Sequence, residues 1–283
     1  MVLPFTTRLQ TARVAIKRAG DDWNQIGDQA LFYWDSLIAI PRAVRQYKKE
    51  TLRLIAEISM GSGALAMIGG TVVVVGFLTL FTGGTIAVQG YSSLANIGVE
   101  ALTGFFSAFI NVRIAVPVIA GIALAATIGA GATAQLGAMR VSEEIDALET
   151  MAISSIPYLV STRIVAGMIA IIPLYSLASL AAFIASRFAT VVLYGQSSGV
   201  YDHYFNTFLI PSDILWSFVQ AICMAIAVML IHTYYGYNAD GGPVGVGVAV
   251  GNAVRASLVV VVVITLLTSL AIYGADGKFN LAG

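Results

Sequence analysis

Residues 142–151 read SEEIDALETM and hold four of the fifteen acidic residues of this 283-residue chain. The acidic segment lies between two stretches without any charged side chain, 114–139 and 164–186. About 20 apolar residues cross a bilayer, so each of these stretches is long enough for a membrane-spanning helix. The segment is therefore expected to lie on one side of a membrane, between two spans.

The acidic segment has the pattern of a short amphipathic helix. Ile145, Leu148 and Ala152 fall on one face at helical spacing, and the carboxylates lie largely on the other. Ser142 is expected to cap the N-terminus, where acidic residues in the first turn also suit the helix dipole. The sequence predicts a rigid acidic projection that a soluble partner can grip.

Composition places the whole chain in a membrane. Hydrophobic residues make up 58% and charged residues 11%, against about 45–50% and about 25% in soluble proteins. The net charge is zero, so nothing in the charge balance indicates nucleic-acid binding. These values predict an all-α integral membrane protein, since only helices and closed barrels span a bilayer.

Charge-free stretches locate the spans, and we predict five, with six as the alternative. The first stretch is too long for one upright helix, so we expect a span near 61–89 and a turn around Gly90-Tyr91. The second helix is expected to begin near Gly104 and to kink at Pro117. The charge-free stretches are 58–99, 114–139, 164–186, 214–239 and 256–275.

Basic residues predict the orientation. Nine of the fifteen lie before residue 54, so the positive-inside rule places the N-terminus and the acidic segment in the cytoplasm. The loop 187–212 and the C-terminus then face the periplasm. The predicted regions are an N-terminal cytoplasmic part (1–57), a permease-like domain (58–275) and a periplasmic tail (276–283). The nine are Arg8, Arg13, Lys17, Arg18, Arg42, Arg45, Lys48, Lys49 and Arg53.

An amphipathic helix is predicted ahead of the first span. Its apolar side chains recur at helical spacing, and a basic stretch at Arg13, Lys17 and Arg18 precedes it. This pattern is typical of a helix that lies along the inner leaflet beside anionic headgroups. A helix packed on a soluble domain is the alternative. The apolar positions are Trp23, Ile26, Ala30, Tyr33 and Leu37, with Trp34 beside them.

Motifs for catalysis and nucleotide binding are missing from the sequence. The chain has no phosphate-binding loop, so any ATP-driven function needs an ATPase from another chain. His203 and His232 are expected to be loop or interfacial residues without a shared metal, and the lone Cys223 is expected to be buried. Few charges fall inside the spans, which disfavours ion-coupled transport and favours a hydrophobic cargo. We therefore expect no enzyme, no metal and no bound cofactor.

The stretch 129–151, GAGATAQLGAMRVSEEIDALETM, closely resembles the signature of the MlaE/YrbE permeases, the membrane subunits of Mla- and Mce-type ABC lipid transporters. The resemblance covers roughly residues 45–275. Supporting matches are Gln89-Gly90-Tyr91, Val112-Arg113 with Pro117, Gly236-Tyr237-Asn238-Ala239, and Gly245-Val246-Gly247 running to Ala253-Val254 and Ser257.

The resemblance implies an inner-membrane permease dimer whose acidic helices seat in a cytoplasmic ABC ATPase dimer, which binds the ATP and magnesium. It implies a lipid cavity lined by the first two spans. The implied ATPase-coupling residues are Glu143, Glu144, Ile145, Asp146, Leu148 and Glu149, with Ile145 and Leu148 as the anchor. The implied lipid-passage residues are Leu80, Ala87, Val88, Tyr91, Arg113, Ile114 and Ala115.

Three positions depart from the family pattern. Ile114 stands where members often have glutamate, Thr127 where an arginine is common, and Gln135 where a glutamate is common, so the passage is more apolar. The chain looks similar to the B-type YrbE of actinobacterial (mycobacterial) Mce systems. That similarity implies a heterodimer with a second permease, a hexamer of MCE proteins, and import of fatty or mycolic acids or sterols.

Two other readings stay open. The chain could be a non-conducting scaffold that anchors the ATPase and the MCE proteins while a partner permease holds the passage. It could also be a membrane enzyme acting on lipids, although no acid–base or nucleophile constellation supports this.

Overall fold

The computed structural model describes residues 26–60 and 65–274, including the side chains of 26–56, 72–272 and 274. All regular structure in these residues is helical, which confirms the all-α class. Three short helices come first: α1 covers 26–38, α2 Ile40–Gln46 and α3 Lys48–Met60. The predicted boundary at 57–58 falls within α3, while the tail 276–283 lies outside the described residues.

Five helices of the described residues are long and apolar enough to cross a membrane, as predicted. They are α4 (Leu65–Ala95), α5 (Glu100–Val141), α7 (Ile156–Leu193), α9 (Pro211–Tyr237) and α10 (Gly242–Tyr273). Two short helices connect them: α6 (Glu144–Thr150) carries the acidic residues, and α8 (Ser198–Phe208) occupies the predicted loop 187–212.

The prediction of a turn at Gly90-Tyr91 is wrong. Helix α4 continues to Ala95, and the chain turns at 96–99, where Gly98 adopts a φ of +73°. Gly90 serves close packing instead, because a Cβ at that position would collide with the ring of Phe106.

Helix α5 begins at Glu100, slightly before the predicted start at Gly104. Near Pro117 the helix contains a π-helical turn, Asn111–Ala115, which ends two residues before the proline. Proline has no N–H to bond the carbonyl four residues back. A widened turn is one local adjustment by which spans pair such freed carbonyls.

The apolar core lies where α4, α5, α7, α9 and α10 meet. The outer surface of these helices also carries large apolar side chains, for example Phe81 at 71% and Leu270 at 65% exposure. Such exposure is typical of a surface that contacts lipid. The largest cluster of buried residues includes Val75, Val116, Leu124, Ile171, Met224 and Val261.

Two expectations about single residues are wrong. His232 is fully buried between α5 and α9 rather than interfacial, and its Nδ1 lies 2.7 Å from the Thr133 hydroxyl. Gly129 makes room for its ring, since a Cβ there would lie 2.5 Å from His232 Cδ2. Cys223 is exposed on α9 rather than buried.

Helix α1 has two apolar sides. Phe32 and Tyr33 pack on the ends of the spans, and burial raises the pKa of Tyr33 to about 12. Ser161 donates a 2.8 Å hydrogen bond to the Ser36 carbonyl, which fixes α1 to α7. Trp34 (63% exposed) and Ile38 (59%) point away from the bundle. This exposed stripe supports the predicted interfacial location, while Arg8, Arg13, Lys17, Arg18 and Trp23 lie outside the described residues.

Candidate functional site

The acidic helix α6 projects between the second and third spans. Ser142 does not cap it, contrary to expectation: its hydroxyl lies 3.0 Å from the Ala138 carbonyl and 3.0 Å from a Glu144 carboxylate oxygen. The residue before the helix, Glu143, instead adopts a left-handed backbone with φ of 60°. Ala152, just after the helix, does the same with φ of 58°.

One face of α6 is anchored in the bundle. Ile145 is completely buried against Leu136 of α5 and Leu159 of α7, and Leu148 is half-buried beside them. Ala152, expected on the same face, is exposed. Burying a side chain such as isoleucine contributes about 1.5–3 kcal/mol, so the anchor holds the helix firmly to the ends of α5 and α7.

The four carboxylates of the acidic segment, residues 142–151, have different surroundings. Asp146 accepts a 2.8 Å hydrogen bond from Arg140 at the end of α5. Glu149 accepts a 2.6 Å hydrogen bond from the buried Ser155. Glu143 and Glu144 are exposed. In the described part of the chain, the carboxylate of Glu144 accepts a single hydrogen bond, from Ser142.

An apolar groove of about 520 Å³ runs between α4 and α7. None of the described residues that line it is charged, and Thr85 is the polar one among them. The lining residues are Phe77, Leu80, Phe81, Gly84, Thr85, Val88, Ile184, Ala185, Phe188, Ala189 and Leu193.

The seven predicted lipid-passage residues do not form one surface in the single chain. Leu80 and Val88 line the groove, whereas Ala87 and Ala115 are buried in helix packing. Tyr91 is half-buried and stacks on Tyr194 with ring centroids 4.2 Å apart. The groove joins the first span to the third rather than to the second.

Arg113 and Ile114 lie on α5, outside the groove. Ile114 is 46% exposed. Arg113 donates two hydrogen bonds to one Asp213 oxygen, at 3.0 and 2.7 Å, and its guanidinium lies 4.0 Å from the Phe109 ring centroid. The side chains of this pair are only 19% and 16% exposed. Sequence reasoning missed Asp213, although its position at the very edge of the charge-free stretch 214–239 was an available signal.

A buried polar chain joins three spans near the groove. Asn111 of α5 donates to the Ser186 hydroxyl of α7 at 2.9 Å, and Ser186 donates to the Gly83 carbonyl of α4 at 2.8 Å. Paired polar groups in an apolar interior specify one helix arrangement, because leaving them unpaired is costly. These hydrogen bonds therefore help to fix the angle between α4 and α7, which form the walls of the groove.

At the end of the bundle away from α6, helix α8 covers the termini of α5 and α7. Tyr201 is 1% exposed, and burial raises its pKa to about 12. The neighbouring Asp202 accepts hydrogen bonds from Arg187, which hold the pKa of its carboxyl below the usual value. Among the described residues, no group of three His, Cys, Asp or Glu side chains could hold a metal ion.

Two of the three sequence relatives described here are named as probable ABC transporter permeases. A Rickettsia bellii protein named probable ABC transporter permease is 31% identical over 155 residues, which cover 54% of this chain and 60% of that protein. A Porphyra purpurea protein, probable ABC transporter permease protein ycf63, is 33% identical over 132 residues, 46% of this chain and 50% of its own. The chloroplastic protein TRIGALACTOSYLDIACYLGLYCEROL 1 of Arabidopsis thaliana is 29% identical over 143 residues, 50% of this chain and 41% of its own.

The matched segments therefore span at most about three fifths of these relatives. The family model described as Permease MlaE matches residues 60–271. That range contains all five spans apart from the last residues of α10, together with the acidic helix and the groove. The chain is a multi-pass membrane protein that belongs to the MlaE permease family.

Proposed function

We propose that this chain is the membrane-spanning permease subunit of an ABC-type lipid transporter and that a separate ATPase powers it. The observation that carries the proposal is the placement of α6: an exposed acidic surface is attached by a fully buried isoleucine to two spans. Such a helix transmits force to α5 and α7 when a soluble partner pulls or pushes it.

The ATPase contact is proposed to centre on Glu143 and Glu144. Both side chains are exposed, and the hydrogen bond of Glu144 comes from the exposed Ser142 next to it. Asp146, in contrast, accepts from Arg140 of α5, and Glu149 accepts from the buried Ser155. A basic groove on the ATPase would pair with the two exposed carboxylates by charge-assisted hydrogen bonds. ATP and magnesium would be held by the ATPase, and the closing of its dimer would move α6 as a rigid body.

The cargo is proposed to be a lipid whose acyl chain enters the groove between α4 and α7. The described residues of the groove walls are mostly apolar and include no charged group, so they suit a hydrocarbon tail rather than a headgroup. Arg113 lies within the π-helical turn of the second span, and it is proposed as the residue of α5 that contacts the polar end of the lipid.

The proposed subtype of the transporter, its partners and its cargo rest on the resemblance described in the sequence. We propose a B-type YrbE subunit of an actinobacterial Mce complex, with a second YrbE permease, an ATPase dimer and an MCE hexamer as partners. The cargo would be a fatty or mycolic acid or a sterol, moved inward across the inner membrane. The N-terminus and α6 would be cytoplasmic and the C-terminus periplasmic.

A matched pair of substitutions tests whether this chain lines the lipid route. Leu80 and Leu78 lie on the same helix and are both 43% exposed, but only Leu80 lines the groove. In the assembled complex, Leu80→Asn is expected to reduce retained and transported lipid, measured by mass spectrometry and by uptake of a labelled fatty acid. Leu78→Asn is expected to behave like the unmodified complex.

The outcome also decides between the permease and the scaffold. If Leu80→Asn and Leu78→Asn both transport lipid at the unmodified rate, this chain does not line the route, and the scaffold reading is correct. A water-soluble metabolite as the sole retained ligand would overturn the lipid cargo itself.

A further inference from the structure

Tyr237, the last residue of α9, contacts four other parts of the chain. Its hydroxyl lies 2.8 Å from the Ser155 hydroxyl and 3.3 Å from a Glu149 carboxylate oxygen. Its ring lies 5.4 Å from the ring of Phe32 on α1, between centroids. The Arg140 guanidinium, at the end of α5, lies 5.9 Å from the same ring.

The protons of this cluster can be assigned. Ser155 donates its single proton to Glu149 at 2.6 Å, because an ionised carboxylate only accepts. Tyr237 must then be the donor in its contact with Ser155. Its hydroxyl proton is shared between Ser155, at the shorter distance, and Glu149, at the longer one. Glu149 is thus the terminal acceptor of a chain of two hydroxyls. If it moves away, Ser155 loses its acceptor and Tyr237 loses the weaker of its two contacts.

The cluster holds the C-terminal end of α6, whereas Ile145 anchors its beginning. A groove of about 550 Å³, lined by both Glu149 and Ser155, separates α6 from Asp35 and Arg42. Because this space is open, packing alone does not restrain Glu149 on that side. The hydrogen bonds to Ser155 and Tyr237 do.

We propose that Tyr237 is a positioning residue that joins the acidic helix to the fourth span and to α1, so that movement of α6 reaches α9 as well as α5 and α7. This inference rests on the proposed function, and it changes the role expected for Glu149. Glu149 belongs to the internal junction rather than to the surface that meets the ATPase.

The transport test uses the complete complex and the variant Tyr237→Phe, which removes only the hydroxyl. The matched control is Tyr235→Phe, since the Tyr235 hydroxyl makes no hydrogen bond within the described residues. ATP hydrolysis is expected to persist in both variants. Lipid moved per ATP hydrolysed is expected to fall about fivefold in Tyr237→Phe alone, the factor that corresponds to one hydrogen bond of ~1 kcal/mol.

Glu149 supplies a graded series at the same junction. Glu149→Ala is expected to lower lipid moved per ATP as Tyr237→Phe does, while Glu149→Gln, which keeps an acceptor oxygen for Ser155, is expected to recover most of the loss. An unchanged ratio in both Tyr237→Phe and Glu149→Ala overturns the proposal.

A distance measurement separates this inference from the lipid assignment. Spin labels at Thr150→Cys and Asn238→Cys, both exposed positions, in a Cys223→Ser background report the separation of α6 and α9. The separation is expected to stay fixed between the nucleotide-free complex and the complex with an ATP analogue, and to change in Tyr237→Phe. A change of equal size without the Tyr237 substitution contradicts the junction, whatever the cargo proves to be.

Discussion

Replacing Gly83 by alanine is expected to destabilise the helix bundle, whereas the same change at Gly84 or Gly76 is expected to be tolerated. A Cβ at residue 83 would lie 2.5 Å from the Ala182 carbonyl oxygen and 2.8 Å from its Cα. These are backbone atoms of α7, which cannot rotate away as a side chain does. A Cβ at residue 84 or 76 would meet nothing within 4 Å.

The magnitude follows from three contributions. Alanine gains up to about 1 kcal/mol over glycine in helix propensity at all three positions. At residue 83 overpacking costs about 1–3 kcal/mol. Moving α4 away from α7 also weakens the bond from Ser186 to the Gly83 carbonyl, and a hydrogen bond contributes about 0.5–1.5 kcal/mol. Gly83→Ala should therefore be about 2–4 kcal/mol less stable than Gly84→Ala.

Thermal unfolding of the purified variants in one detergent measures this difference. At about 2–4 °C per kcal/mol, the midpoint of Gly83→Ala should lie roughly 5–15 °C below that of Gly84→Ala. Gly76→Ala, on the same helix, controls for helix propensity alone. Equal midpoints for all three variants would refute the close approach of α4 and α7 on which the geometry of the groove depends.

Two further substitutions test the charged sites. Asp213→Ala removes one partner of a mostly buried ion pair and should lower the free energy of unfolding by about 3–5 kcal/mol. The double variant Arg113→Met/Asp213→Leu should recover much of that loss. A double variant as unstable as Asp213→Ala would contradict the importance of the ion pair. Glu144→Lys should reduce co-purification of the ATPase by roughly 10–100-fold, as expected for a lost charge-assisted hydrogen bond of about 1.5–3 kcal/mol. Glu100→Lys, at the opposite end of α5, is its control, and equal ATPase retention in both would exclude Glu144 from the contact.

The number of spans could be predicted from the sequence because each span needs an apolar stretch of membrane length. Their limits could not, because the helices continue past the charges that bound these stretches, as Arg113 within α5 and Arg255 within α10 show. The acidic helix was equally visible, since its apolar positions Ile145 and Leu148 follow the helical repeat. Both predictions depend only on residues close together in the chain.

The errors concern residues whose role depends on a neighbouring helix. Gly90 has the chemistry of a turn residue, but the ring of Phe106 is the reason that glycine stands there. His232 is a polar residue near a span end, and its burial follows from the space beside Gly129. Asp213 pairs with Arg113 across 100 positions of sequence. A single sequence does not reveal which helices lie side by side, so these contacts required the structure.

The left-handed residues on either side of α6 have a mechanical consequence. Glu143 and Ala152 each hold a backbone conformation that costs about 1–2 kcal/mol for a residue with a side chain, and both lie outside the helix. These two residues thus help to set the direction of the helix axis, while the exposed side chain of Glu144 takes no part in the packing that holds the helix. Changes to the exposed carboxylates can therefore adapt the helix to a different partner surface. The orientation of the helix relative to the bundle would stay the same.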